Sequence, residues 1–356
     1  MNNIFYENNI KYIEDFKPKK DINNIENKIL IKSLYIKNSD NFLYTVECMK
    51  KLNDIKISIE QKIELIAIGN SNHKILIINT LNFNKYQILE EHEASITSFD
   101  QYKNDSKFLF SSSNDKYINI YKLNSIYKYE LIQKIKNSED IEGINKVICL
   151  SNKLLVAGDI KNIIIWKLKI NEEKRIYFQE YYKINLNRKT CNLLEVNPSI
   201  FASIQPIGGY FQIYENDGKE FPLIGEILIN IQENSSNSLC IINNKLVCYF
   251  AVNLFYIICI DPLQIIQKYI INFKINFIIF FIQVTKDNYL YLKGDYQSII
   301  QYKIINYEDN NFVELVEIGK YPINKLYNDK AILPFDDGRI ISVEEKKRKK
   351  YYQMIG

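Results

Sequence analysis

The sequence predicts an all-β protein: a seven-bladed β-propeller of four-stranded antiparallel blades, its ring closed by an N-terminal strand. Three observations carry this expectation. A unit complete in residues 91–123 (EHEASITSFDQYKNDSKFLFSSSNDKYINIYKL) returns along the chain, and its third-strand positions, Ile78, Tyr121, Trp166, Tyr214, Ile260, Tyr302 and Val343, fall 41 to 48 residues apart. That spacing is close to the about 40 to 45 residues of a four-stranded blade. Strand formers abound, with 27 Tyr and 19 Phe beside many Ile, the β-branched and aromatic supply that pleated sheets favour. Helical periodicity is nowhere sustained, and the few Gly and Pro residues are read as lying between apolar runs rather than inside them.

The period has a physical meaning. A four-stranded sheet cannot bury both faces alone, so each unit must stack on its neighbours, and a closed ring covers every face. A chain of 356 residues, 47% apolar and 25% charged, has ample material for one large β domain and no case for wholesale disorder.

Taken in order, residues 1–28 read as an irregular or partly ordered N-terminal extension, 29–345 as the propeller and 346–356 as a basic tail. Ile29–Ile36 is the first strand signal, Asn41–Cys48 the second, and Met49–Gln61 a longer connection. Ile63–Gly69 and Ile75–Asn79 form a hairpin across Asn70–Lys74. Then come Ser95–Asp100, Lys107–Ser113, the turn Asn114-Asp115-Lys116, Tyr117–Leu123 and Tyr127–Ile135. The next unit is Ile144–Leu150, Lys153–Gly158, Ile163–Leu168 and Arg175–Ile184, with further hairpins at Ile200–Tyr214, Lys245–Ile260, Tyr289–Tyr302 and Ala331–Val343. After Val343 the residues are mostly charged, so the last blade is expected to take its outermost strand from Ile29–Ile36, latching the two ends together; the alternative is a strand at Tyr351–Ile355.

In this order the residues resemble the WD-repeat β-propeller family. Its blades carry a His before the first strand, a Ser or Thr in the second, an Asp in the tight turn and a Trp six residues later. Here His92, Ser111 or Ser113, Asp115 and Tyr121 match, with Tyr in place of Trp. The unit ending at Trp166 keeps the Trp, with Asp159 one place early; Asn72 stands in for the Asp in the first blade and Asp337 matches it in the last. The resemblance implies a structural hydrogen-bond set of His92, Ser113, Asp115, Tyr121 and Trp166, which satisfies buried polar groups and pins the turn. It also implies a non-catalytic scaffold for protein–protein interaction within a multiprotein complex.

The residues offer little for catalysis. His73 and His92 are the only histidines, the six cysteines are scattered without a CxxC pair, and no nucleophile elbow or phosphate-binding glycine loop occurs. No catalytic residue, metal site or cofactor is expected. Gly208-Gly209 and Asp336-Asp337-Gly338 read as hairpin turns. The formal charge of +4 does not argue for nucleic acid. The longest uncharged runs, Leu246–Ile260 and Ile275–Thr285, fall short of a membrane helix, so no membrane insertion is expected. Met1–Lys20 has no apolar core, which makes the cytoplasm the expected location, with Lys346–Lys350 as a candidate nuclear address.

Charges sort by loop. Connections on one rim carry Asp40, Glu90, Glu91, Glu93, Glu139, Asp140 and Glu142; those on the other carry Lys122, Lys128, Lys167, Lys169, Lys174, Arg175 and Lys303. Glu90, Glu91, Glu93, Glu139, Asp140 and Glu142 are therefore a candidate acidic rim for a basic peptide. The partners expected are proteins or peptides. The alternative is a lipid- or nucleic-acid-binding propeller using the basic rim and tail, and a third reading is a propeller enzyme.

Overall fold

In a computed structural model, the described residues are 10–13, 30–36, 46–56, 62–81, 84–103, 105–136, 143–159, 161–173, 175–186, 192–205, 209–229, 238–243, 245–251, 254–271, 279–284, 288–294, 298–307, 312–322, 332–334 and 339–345. No helix occurs among them.

Two N-terminal strands, β1 (Ile10–Ile13) and β2 (Leu30–Ile36), precede the repeat. The first sheet joins β3 (Val46–Lys51) to β6 (Leu65–Asn70), β7 (Ile75–Asn79) and β8 (Asn84–Leu89); between them β4 (Ile55–Lys56) and β5 (Lys62–Ile63) form a small ladder. The second is β9 (Ile96–Asp100), β10 (Phe108–Ser113), β11 (Tyr117–Leu123) and β12 (Tyr129–Lys136). The third is β13 (Lys146–Cys149), β14 (Leu154–Gly158), β15 (Asn162–Ile170) and β16 (Ile176–Asn185). The fourth is β17 (Asn192–Asn197), β18 (Ile200–Gln205), β19 (Tyr210–Glu215) and β20 (Leu223–Leu228). The fifth is β21 (Ser238–Ile241), β22 (Leu246–Ala251), β23 (Leu254–Ile260) and β24 (Leu263–Ile271); the sixth is β25 (Ile279–Val284), β26 (Tyr289–Gly294), β27 (Ser298–Tyr307) and β28 (Phe312–Pro322). A last sheet holds β29 (Ile332–Pro334) and β30 (Arg339–Glu345).

Each of the six full sheets is an antiparallel meander. Their middle strands are buried on both faces: β6, β10 and β14 have no exposed residue, and β10 and β14 each lie between two apolar clusters. The outer strands alternate instead, as in β12, because only one face meets the next blade. First strands lie side by side in succession: β29 against β3, β3 against β9, then β13, β17, β21 and β25. Of these, β3, β9, β13, β17 and β21 line one open channel.

The third and fourth strands of all six full sheets share one irregularity. A bulge falls immediately before Ile78, Tyr121, Trp166, Tyr214, Ile258 and Tyr302. This register makes Ile258, rather than Ile260, the equivalent position in the fifth sheet. The residue pushed out of the ladder is Tyr86, Ile132, Tyr181, Ile224, Ile266 or Ile318 in turn. A bulge adds local twist, and repeating it sheet by sheet gives each blade the same bend at its rim.

One expectation is sharpened and two need correction. Within the N-terminal extension, residues 10–13 are an ordered part: β1 pairs in parallel with β24 and makes the fifth sheet five-stranded. Strand β2 takes the outermost place beside β30, pairing Leu30 with Arg339 through Ile36 with Glu345, but it runs parallel to β30, so this sheet, of three strands among the described residues, is not purely antiparallel. Glycines also sit inside strands: Gly69 lies in β6 and Gly225 in β20, where a Cβ would fall 2.7 Å from Ile96 and 2.4 Å from Leu263 of the next sheet. Those glycines permit close blade stacking. The turn glycine Gly209 does have positive φ, at 69°. The Asp336-Asp337-Gly338 turn and the tail lie outside the described residues.

Candidate functional site

His92 precedes β9 and is 2% exposed. Its Nδ1 lies 2.7 Å from Asp115 Oδ2 and its Nε2 2.7 Å from Ser111 Oγ. The Glu93 N–H donates to Asp115 Oδ2 (3.0 Å) and the Tyr117 N–H to Oδ1 (2.9 Å). Burial alone raises the Asp115 pKa, but the bond to His92, its charge and these two N–H donors outweigh it and hold the carboxyl below its ordinary value. The serine that meets the imidazole is Ser111, not Ser113. Ser113 instead holds the turn, its Oγ donating to Ala94 O (2.9 Å) and accepting the Asp115 N–H (3.1 Å).

Tyr121 donates to Glu91 Oε2 (3.2 Å) and accepts from Asn119 Nδ2 (3.3 Å). Burial, then the Glu91 charge, pushes its phenol well above the ordinary range. Trp166 belongs to the next sheet, where it packs in an apolar cluster with Phe110, Leu155 and Phe178. Asp159, one place early in sequence, still pins its turn: Oδ1 accepts the N–H groups of Lys161 (2.7 Å) and Asn162 (2.6 Å). The fourth sheet has no histidine and uses amides instead, with Tyr214 OH donating to Gln212 Oε1 (2.8 Å) and Gln212 Nε2 to Glu226 (2.6 Å).

On the acidic rim, Glu90 is exposed and meets Lys74 Nζ at 2.6 Å; Glu91 is tied to Tyr121, and its carbonyl takes Lys134 Nζ (2.6 Å). Glu93 is exposed. Glu139, Asp140 and Glu142 lie outside the described residues. On the opposite rim the lysines rest on rings: Lys128 is 3.6 Å from the Tyr86 centroid, Lys303 4.2 Å from Tyr289 and Lys167 5.3 Å from Tyr181.

A set of residues invisible to the motif reading joins the blades. Gln87, Gln133 and Gln267 each sit beside the fourth-strand bulge. Gln87 Nε2 donates to Tyr129 O (2.6 Å) while its Oε1 accepts the Tyr129 N–H (2.9 Å); Gln133 does the same to Phe178 (3.0 and 2.7 Å). Gln267 accepts the Val313 N–H (2.6 Å) and donates to Tyr269 OH, which in turn bonds Val313 O. Aligning fourth strands on the bulge would have exposed the repeated glutamine; aligning only third strands hides it.

The channel wall is made of first strands, whose inner edges have no ladder partner. Side chains supply one. Ser98 Oγ accepts the Val147 N–H (2.8 Å), Asp100 Oδ2 the Cys149 N–H (2.7 Å), and Glu195 the Ser151 N–H. A cavity of about 500 Å³ opens here, lined among others by Lys50, Asp100, Lys103, Lys146 and Glu195. Lys50 Nζ meets Asp100 Oδ1 at 2.7 Å and Lys103 Nζ meets Glu195 Oε2 at 2.7 Å.

No protein-family model and no curated protein matches the sequence. Solved structures do. The chain is similar to the structure of U3-55K (TM-score 0.62, 9% identity, 83% of this chain and 86% of that one). It is similar in the same measure to the crystal structure of RRP9 WD40 repeats (TM-score 0.61, 9% identity, 83% and 86%). A chain of the crystal structure of the Mitotic Checkpoint Complex also matches (TM-score 0.52, 12% identity, 73% and 72%). With the meandering sheets, the succession of first strands and these likenesses, the chain has the β-propeller fold of the structures it matches.

Proposed function

We propose that the protein is a non-catalytic scaffold whose loops hold peptides or domains of other proteins within a multiprotein complex. The observation that carries this reading is His92: the chain's best acid–base candidate is buried, with both ring nitrogens engaged inside a blade. Its chemistry serves the fold. The likeness to a chain of the Mitotic Checkpoint Complex supports the same reading, since that fold there sits in an assembly of proteins.

The acidic rim is the face assigned to a basic peptide. Glu90 and Glu93 are its exposed members among the described residues, with Glu90 paired to Lys74 and Glu91 held by Tyr121; Glu139, Asp140 and Glu142 extend it in sequence. The expected setting is the cytoplasm, or the nucleus if the Lys346–Lys350 run acts as an address. Affinity purification of the tagged full chain from its native cells, read by mass spectrometry, should return a fixed set of proteins in constant ratio. Charge reversal at Glu90, Glu91 and Glu93 should weaken their capture. Recovery of the chain alone would overturn the scaffold reading, and unchanged capture would reduce the rim to a solvated edge.

A further inference from the structure

The channel wall carries an imbalance of charge that no part of the fold uses. Lys50 near the end of β3, Asp100 at the end of β9 and Lys146 at the start of β13 lie on three successive first strands and face one cavity. Asp100 is saturated: one oxygen takes Lys50 Nζ and the other the Cys149 N–H, each at 2.7 Å. Glu195, on β17, is likewise held by Lys103 and by the Ser151 N–H. No carboxylate among the described residues comes within ion-pair distance of Lys146. The cluster of two ammonium groups and one fully engaged carboxylate is therefore left positive.

A positive group in a concave wall is costly unless neutralised, because low-dielectric surroundings focus its field. Burial, and next the like charge of Lys50, outweigh the attraction of Asp100 and hold the Lys146 pKa below the ordinary lysine range. The Lys50 side chain is 43% exposed, so water reaches it. A small anion can follow.

We propose that the central channel is an anion site in which Lys146 and Lys50 together hold the phosphate of a phosphorylated small molecule. Two ammonium groups facing one cavity match a dianion better than a single carboxylate, and lysine binds phosphate as a point charge without demanding a planar ligand. The volume of about 500 Å³ lies in the range of small-molecule pockets.

The test uses the full chain at constant ionic strength, titrated with pyrophosphate and with inorganic phosphate against chloride, and read by calorimetry and by thermal unfolding. Pyrophosphate should bind at a single saturable site and raise the melting temperature as its concentration increases. Lys146→Met and Lys50→Met should each weaken that binding by about tenfold or more, the loss of one charge-assisted contact, whereas Lys103→Met, whose lysine meets Glu195 and is not among the charges acting on Lys146, should leave it intact. Lys146→Met removes a partly buried ammonium that makes no ion pair among the described residues, so this variant should melt no lower than wild type without ligand; should it fail to fold, Lys50→Met carries the test. A stronger response to inorganic phosphate than to pyrophosphate would identify free phosphate as the source of the anion. Absence of saturable binding, or equal binding by wild type and Lys146→Met, would overturn the site and leave only adventitious contact with surface lysines.

Discussion

Gln133 and Phe178 exchange two hydrogen bonds across the gap between adjacent blades: the amide donates to the Phe178 carbonyl at 3.0 Å, and the Phe178 N–H returns one at 2.7 Å. The same exchange joins Gln87 to Tyr129. Phe178 is 3% exposed, so water cannot readily replace the amide. Gln133→Ala should therefore lower unfolding free energy by about 1–3 kcal/mol, the usual penalty for stranding buried backbone groups. Urea denaturation would read this directly, and a loss below about 0.5 kcal/mol would place the pair in solvent exchange.

Asp115 makes stability depend on pH in a defined direction. Its carboxyl is held below the ordinary value in the folded chain despite burial, chiefly through His92. A depressed acid stabilises the fold fully above its unfolded pKa of about 4 and loses that contribution as pH falls through the lower folded value. Wild type should thus show an acid-side decline that Asp115→Asn lacks. Melting curves of both proteins from neutral pH to about pH 3 would show converging stabilities; parallel curves would contradict the linkage.

Gly143 and Gly225 allow close approaches of two kinds. A Cβ on Gly143 would lie 2.2 Å from the Asn114 Cα in the turn pinned by Asp115, and backbone cannot yield as a side chain can. Gly143→Ala should cost about 3 kcal/mol or more. At Gly225 the obstacle is Leu263 Cδ2, the end of a side chain. Gly225→Ala should cost about 1–3 kcal/mol, and Leu263→Ala should relieve part of that cost. A double-mutant cycle with no coupling would show that the blades do not touch at this point.

The N-terminal strands contribute unequally. Deleting residues 1–20 removes β1, which pairs along Ile10–Ile13, whereas deleting 1–36 also removes β2 and its longer ladder with β30. The second truncation should lower the melting temperature by several degrees beyond the first. Identical melts would mean that β2 does not latch the ends of the chain.

Much of this fold is legible in the sequence because a blade is a local object. Hairpins such as Phe108–Ser113 and Tyr117–Leu123 join neighbours in sequence, and their apolar alternation and turn residues lie within one short stretch. The His92–Asp115 pair was readable for the same reason. The choice between Ser111 and Ser113 was not. Both are fully buried on one strand, and only the register against β9 and β11 decides which one meets the imidazole. Likewise Ile258 and Ile260 share a strand face and a residue type, so the bulge alone distinguishes them.

The sequence by itself determined the class of fold, the repeat and the polar set of its best-preserved blade, because period, alternation and turn chemistry are properties of consecutive residues. The tertiary structure decided what happens between blades: the glutamine exchanges, the glycines that admit a neighbour, the pairing of β1 with β24, and the meeting of Lys50, Asp100 and Lys146 at the channel. These pairs lie dozens of residues or more apart. Nothing in the chain between them signals the contact, which exists only when stacked sheets bring equivalent strands to the same radius.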